Sequence, residues 1–450
     1  MTASAPSAPW PTTIAISALG AALGGTIAGL LVVGFTEMLK AMLGVVSGQK
    51  TWVLILMPLL GLAISVLVLY KLGLSDDQNH SLTPKRAAKW RSFPPGAARS
   101  HLTDDMVSSA GAEERFPWRL APIRLLAICA TVGLGGPMGT EAPAAYIGIA
   151  TGAALGSRWN RIVRPASVGG AAAGVAVLMG IPLVGTAYIL ELGRRHKAPL
   201  NAERITAALV GGLVGWLLNV YMGVNLIRLV VPKEPPHSVY QAIVTALLIG
   251  ILAGSITSIA AAAIYKAKAW RASPAIRLIL GAVTLGVAAV IISAIAAPSA
   301  AVGPGGGAIT WVEGAAGASA LTVLAVDILR AVATTASAAA GGCGGLFVPF
   351  LAIGDLAGRV FAPSLAVPSD LAGAAGAAGG ISGGYHLPFT AVALVLSQGG
   401  PHLAVITSLA TVVVAAFAGK ASALLVDRIL SPGQIPDQQL ATAESDPYAF

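Results

Sequence analysis

Charge is scarce in this chain. Aspartate, glutamate, lysine and arginine supply 10% of its 450 residues, against about 25% in ordinary soluble domains. That is too little to cover a water-facing surface. Cysteine is scarcer still. Cys129 and Cys343 both sit in apolar or glycine-rich segments, so they read as buried thiols, and no disulfide or metal framework can be argued. The six histidines show no metal-ligand spacing, and no nucleophile, metal or cofactor site emerges, so neither an enzyme nor a cofactor is expected. The start of the chain has no basic n-region and no small-residue cleavage pattern, so no cleaved signal is expected. The net charge of +9 does not point to nucleic acid, because the basic residues lie mostly between apolar runs. Positive-inside topology accounts for them, with Arg194-Arg195-His196-Lys197 as the best cytoplasmic marker.

What the chain has is apolar length. Hydrophobic residues make up 56% and the mean hydropathy is +0.79. Runs of bilayer-spanning length are clearest at Thr13–Val33, Trp52–Tyr70, Val239–Ile264, Ile276–Ala297, Leu321–Ala340 and Leu403–Val426. Ile123–Val132 and Ala207–Val220 are short and predict only partial spans. Glycine (54 residues) and alanine let helices approach closely, which favours a packed bundle of broken helices in a lipid bilayer, a multi-pass protein of the cell membrane. Four segments follow: a polar lead (1–11), a first membrane repeat (12–224) holding a charged loop (74–119), a second membrane repeat (239–430), and a polar tail (431–450).

The division into repeats rests on internal similarity. GGPMGTEAPAAYIGIATG, beginning at Gly135, aligns without a gap to GGCGGLFVPFLAIGDLAG, beginning at Gly341. The same offset of 206 residues pairs Gly139 with Gly345, Pro143 with Pro349, Gly170 with Gly376, Gly174 with Gly380 and Pro182 with Pro388. Duplicated membrane halves indicate a transporter or channel whose substrate meets interrupted helices. A helix beginning near Ala142 or Val348 leaves its first N–H groups without intrahelical acceptors, which is costly in hydrocarbon. The positive end of the helix dipole makes an anion the natural acceptor. Gly139, Thr140 and Ala142 in one half, and Gly345, Leu346 and Phe347 in the other, are therefore candidate ligands.

One of the two breaks carries an acid. Glu141 lies at membrane depth, where a carboxylate is expensive and functional by default. At a helix start it can occupy the substrate's place and leave on protonation, serving as gate, proton acceptor or both. The other half has Phe347 at the equivalent position. The bland alternative is an acid that only caps its helix.

GPMGTEAPAAYIG resembles the GxxGREGPxxQIG segment of the CLC family of chloride channels and proton-coupled chloride antiporters, and GGLFVP (Gly344–Pro349) resembles its GxFxP motif. GIPLVGTAYILEL (Gly180–Leu192) and HLPFTAVALVLS (His386–Ser397) are similar to a corresponding pair of family helices. The resemblance implies an all-helical fold of two inverted-topology repeats and a homodimer with one ion pathway per subunit. It also implies Glu141 as external gate, Gly345, Leu346 and Phe347 around the central anion, and Ser81, in a degenerate serine motif, as a further ligand. Three departures stand out. Thr140 replaces a basic residue, Leu192 occupies the internal proton position with Glu191 one residue earlier, and Ala423 stands where a pore tyrosine is expected. A one-residue shift turns a side chain by about 100°, so Glu191 is a weak substitute. The missing internal acid leans the reading towards a chloride channel or weakly proton-coupled conduction. The alternative is an anion/proton antiporter, for chloride or fluoride, with a non-standard internal proton route. The helix-spaced pairs Asp327/Arg330 and Asp355/Arg359 are expected to neutralise each other, His386 to be a packing residue, and Lys420 to snorkel near a helix end.

Overall fold

Long helices carry the structure. The computed structural model describes residues 10–72, 116, 118–195, 198–224, 238–269, 272–314, 318–399 and 406–430. Among them, nine helices are long and apolar enough to cross a membrane. In chain order the helices are α1 (Trp10–Ser47), α2 (Thr51–Leu72), α3 (Ala121–Gly133), α4 (Glu141–Gly156), α5 (Val163–Met179), α6 (Pro182–Arg195), α7 (Ala202–Met222), α8 (Val239–Ala269), α9 (Pro274–Ile295), the short α10 (Pro298–Ala301) and α11 (Gly306–Gly314). They continue with α12 (Ala320–Ala339), α13 (Phe347–Leu365), α14 (Ser369–Tyr385), α15 (Pro388–Gly399) and α16 (Ile406–Leu430).

Helix ends differ in how they are finished. The Asn201 carboxamide oxygen accepts the Arg204 N–H at 2.9 Å, and Ser273 and Ser319 cap α9 and α12 in the same way. These polar caps extend α7 to 21 residues, so the run expected to span only partly is long enough to cross. No side chain of the capping residue closes the start of α13. Lys420 lies well inside α16 rather than near either end.

The chain falls into two compact units, one made of Met1–Phe35, Met106–Ala121 and Ala144–Leu226, the other of Thr36–Asp105, Pro122–Pro143 and Ile227–Phe450. In the first, α5 is buried along nearly its whole length, and its small residues admit backbones on two sides. A Cβ at Gly148 of α4 would fall 2.2 Å from the Gly170 backbone, and one at Gly211 of α7 would fall 2.1 Å from the Gly169 carbonyl. Buried Asn219 donates from its amide to the Val177 carbonyl at 2.7 Å and to that of Val224.

The second unit repeats that packing with other residues. A Cβ at Gly354 of α13 would meet the Gly376 carbonyl of α14 at 2.2 Å, and one at Gly380 would meet the Phe350 carbonyl at 2.6 Å. A Cβ at Gly174 would meet the Ala144 carbonyl at 2.4 Å in the first unit, so two contacts, Gly148–Gly170 with Gly354–Gly376 and Gly174–Ala144 with Gly380–Phe350, recur at the 206-residue offset. The duplicated glycines are thus matched contact points between a helix and its successor.

Charge inside the second unit is handled in two ways. Arg359 bonds Asp355 at 2.6 Å, as its spacing predicts, and also reaches Glu313 at 3.4 Å and Asp370 at 3.4 Å. Arg330 does not neutralise Asp327. It donates to the carbonyls of Ala300 (3.3 Å) and Gly303 (2.7 Å), tying α12 to α10 and to the loop that leads from it into α11. His386 is more than a packing residue, since its Nε2 lies 3.3 Å from an Asp427 carboxylate oxygen of α16.

Candidate functional site

Both glycine motifs lie in the second unit, each as a turn between two helices. Gly136 donates its N–H to the Thr131 carbonyl at 2.8 Å, and Gly342 donates to that of Ser337 at 2.9 Å. Gly135 and Gly341 both adopt positive φ, +86° and +102°, a region that glycine enters without strain. The two turns then meet. Gly139 donates to the Gly345 carbonyl at 2.6 Å, and Gly345 donates to the Gly139 carbonyl at 2.7 Å. These residues are equivalents at the 206-residue offset, so the paired bonds define a local two-fold relation between the motifs. Thr131 adds a further tie, its hydroxyl accepting the Cys343 N–H at 3.1 Å.

The bridge sets the starts of α4 and α13 side by side. A Cβ at Gly345 would lie 3.1 Å from the Ala142 nitrogen, and one at Gly139 would lie 3.2 Å from Cδ of Pro349. Neither site leaves room for a side chain without a shift. Pro143 and Pro349 stand in the first turns, where a missing N–H removes no intrahelical bond. Thr140, Glu141, Ala142, Leu346 and Phe347 are all buried. The Thr140 hydroxyl donates to Glu141 Oε1 at 3.2 Å, and the hypothetical Gly139 Cβ lies 2.6 Å from Oε2. The Glu141 carboxyl therefore folds back over its own glycine turn. Two helix starts and one carboxyl, gathered in a buried place, are chemically suited to a small anion and a proton.

The family model described as voltage gated chloride channel matches residues 86–420. The chain belongs to the CLC family. It is 24% identical over 333 residues to the H(+)/Cl(-) exchange transporter ClcA of Yersinia pestis bv. Antiqua (strain Angola), covering 68% of this chain. The protein of the same name from Yersinia pseudotuberculosis serotype O:3 (strain YPIII) matches equally. The chain spans 66% of these relatives' length. The fold is similar to that of a slow cyanobacterial Cl-/H+ antiporter, with TM-score 0.68, 19% identity and coverage of 95% of this chain and 100% of that one. It is also similar to a CLC-type fluoride/proton antiporter, with TM-score 0.68, 20% identity and coverage of 92% and 98%. This CLC protein is thus a multi-pass membrane protein with an all-helical fold.

Of the residues singled out from the sequence, Gly139, Thr140, Glu141, Ala142, Gly345, Leu346 and Phe347 come together at the bridge. Ser81 lies outside the described residues. Glu191 belongs to the first unit, half-buried on α6, with Leu192 buried beside it. Ala423 is buried on α16 and offers no hydroxyl. One polar group at the bridge escaped the sequence reading. The Tyr385 hydroxyl, at the last residue of α14, accepts the Leu346 N–H at 2.9 Å. A tyrosine ending a glycine-rich stretch carries no spacing signal. Its place immediately before the HLPFTAVALVLS segment was the only hint.

Proposed function

We propose that this CLC protein exchanges a small anion, chloride, for protons across the membrane, with Glu141 as gate and proton acceptor. The observation that carries this reading is the reciprocal Gly139–Gly345 bridge, which places a carboxyl beside two neighbouring helix starts. The backbone N–H groups of Ala142, Leu346 and Phe347, with the Thr140 hydroxyl, would replace part of the anion's hydration shell, while those of Gly139 and Gly345 hold the bridge. Leu192 alone favours a channel. The H(+)/Cl(-) exchange transporters among the relatives favour exchange, so the proton needs an inner relay other than residue 192, and Glu191 is the candidate on α6. Ser81 remains a proposed additional ligand, and the working unit is a homodimer with one pathway per subunit.

The test is flux and current in reconstituted vesicles with and without a pH gradient. Exchange is expected to move the zero-current voltage with the pH gradient, and Glu141→Gln to abolish that movement while anion flux continues. A voltage indifferent to pH in the unaltered protein would leave the channel reading standing. Adding fluoride, nitrate and bromide as competitors in the same vesicles is expected to rank chloride above fluoride.

A further inference from the structure

The Glu141 carboxyl lies over the glycine turn before α4; the Tyr385 hydroxyl covers the start of α13. Residue 347, the equivalent of Glu141, is a phenylalanine, so the second half has no carboxyl there. It does have an oxygen, brought by a different element. The Tyr385 hydroxyl accepts the Leu346 N–H at 2.9 Å, directly before the first residue of α13, where no capping side chain of Leu346 intervenes. The equivalent of Tyr385 in the first half is Met179, which has no hydroxyl. Each half therefore brings an oxygen to its motif from a different position in the repeat, the Glu141 carboxyl over its glycine turn and the Tyr385 hydroxyl onto the Leu346 N–H.

The placement of that oxygen is built. Tyr385 is buried, and its ring packs against Phe347 and Phe350 of α13, with both centroid distances at 5.8 Å. A Cβ at Gly384 would fall 2.1 Å from the Phe350 ring, so the residue before Tyr385 must be glycine for that ring to sit there. The residue after it, His386, takes φ of +56°, in the left-handed region, and ends α14. In the first half that conformation falls to a glycine, Gly180, with φ of +69°. Non-glycine residues adopt it at a cost. The phenol is thus fixed by aromatic packing, by a required glycine and by a turn held against its intrinsic preference.

We propose that the Tyr385 hydroxyl is a second, uncharged gate, competing with the transported anion for the Leu346 N–H. This rests on the reading of the α13 start as an anion-facing site. A backbone N–H at 2.9 Å from one oxygen is committed to it, so an anion taking that donor must displace the phenol. The two gates then differ in chemistry. Glu141 leaves its glycine turn when it gains a proton, whereas the phenol leaves only when an anion outcompetes it. The second half senses occupancy and the first half senses protons.

Removing the hydroxyl while keeping the ring isolates this role. Tyr385→Phe removes the oxygen that competes for the Leu346 N–H, so chloride affinity of the purified full-length protein, measured by calorimetric titration, is expected to rise about tenfold. The shift in thermal unfolding on adding chloride is expected to grow with it, a change that damaged packing would not produce. The pH dependence of flux, set by Glu141, is expected to stay as in the unaltered protein. Affinity that is unchanged or lower in Tyr385→Phe overturns the proposal, as does a variant that unfolds equally with and without chloride. If the unaltered protein binds no chloride, the anion reading of the site fails first, and the two failures are distinguishable.

Discussion

Arg124 on α3 and Arg330 on α12 stand 206 residues apart, and both are buried. Charge buried without a partner is expensive. Arg330 meets this by donating to two backbone carbonyls, Ala300 and Gly303, which in turn receive donors they would lack in a dry interior. Gly303 also donates its N–H to the Gly135 carbonyl at 2.7 Å, so Arg330 indirectly braces the turn that carries the first motif. Arg330→Gln is expected to lower stability by about 2–4 kcal/mol, read as earlier thermal unfolding in detergent. Asp327→Asn is expected to cost far less, because no described residue forms a hydrogen bond to its carboxyl oxygens. Residue spacing alone had paired Asp327 with Arg330. The pairing failed because three-residue spacing says which side chains can meet, while unsatisfied carbonyls across the turn decide which ones do.

At the scale of elements, the glycine pairs separate helices that must touch from helices that need not. Gly148→Ala on α4 and Gly354→Ala on α13 each place a methyl about 2 Å from a neighbouring backbone. Each is expected to destabilise by about 1–3 kcal/mol. Gly44→Ala near the end of α1, where a Cβ meets nothing within 4 Å, is expected to be neutral or to stabilise by up to about 1 kcal/mol through helix propensity. Thermal unfolding of the three variants together checks the contrast. The elements themselves were largely legible, because long apolar runs can only be helices in a bilayer. Their ends were not. The apolar run Thr13–Val33 lies inside an α1 that continues to Ser47, since Glu37 and Lys40 bond at 2.8 Å and carry the helix onward. Hydropathy registers those charges as a stop, but the backbone does not. Likewise the first turn of α7 is polar and capped, which an apolar window discards.

For the whole molecule, the duplication was the most informative sequence feature, and it reappears in backbone conformation at Gly135 and Gly341 and at Gly180 and His386. It was legible because glycine and proline requirements come from backbone geometry, which leaves little choice of residue. Tyr385 was illegible for the opposite reason, since a hydroxyl can reach a given N–H from many positions. The homodimer proposed for this CLC protein is checked by light scattering of the detergent-solubilised chain, corrected for bound detergent. A protein mass of twice 44.9 kDa is expected, and a single 44.9 kDa species would require each pathway to work alone.

The bonds exchanged by Gly139 and Gly345 have one more implication. When a residue and its own counterpart each donate to the other, the contact is of the kind made by two identical subunits across a dyad. A covalent chain has no need of such a pattern, and sequence drift in either half could have replaced it with an unsymmetrical contact. The bridge is therefore the place where the two motifs meet as equals, each giving the other the bond it receives.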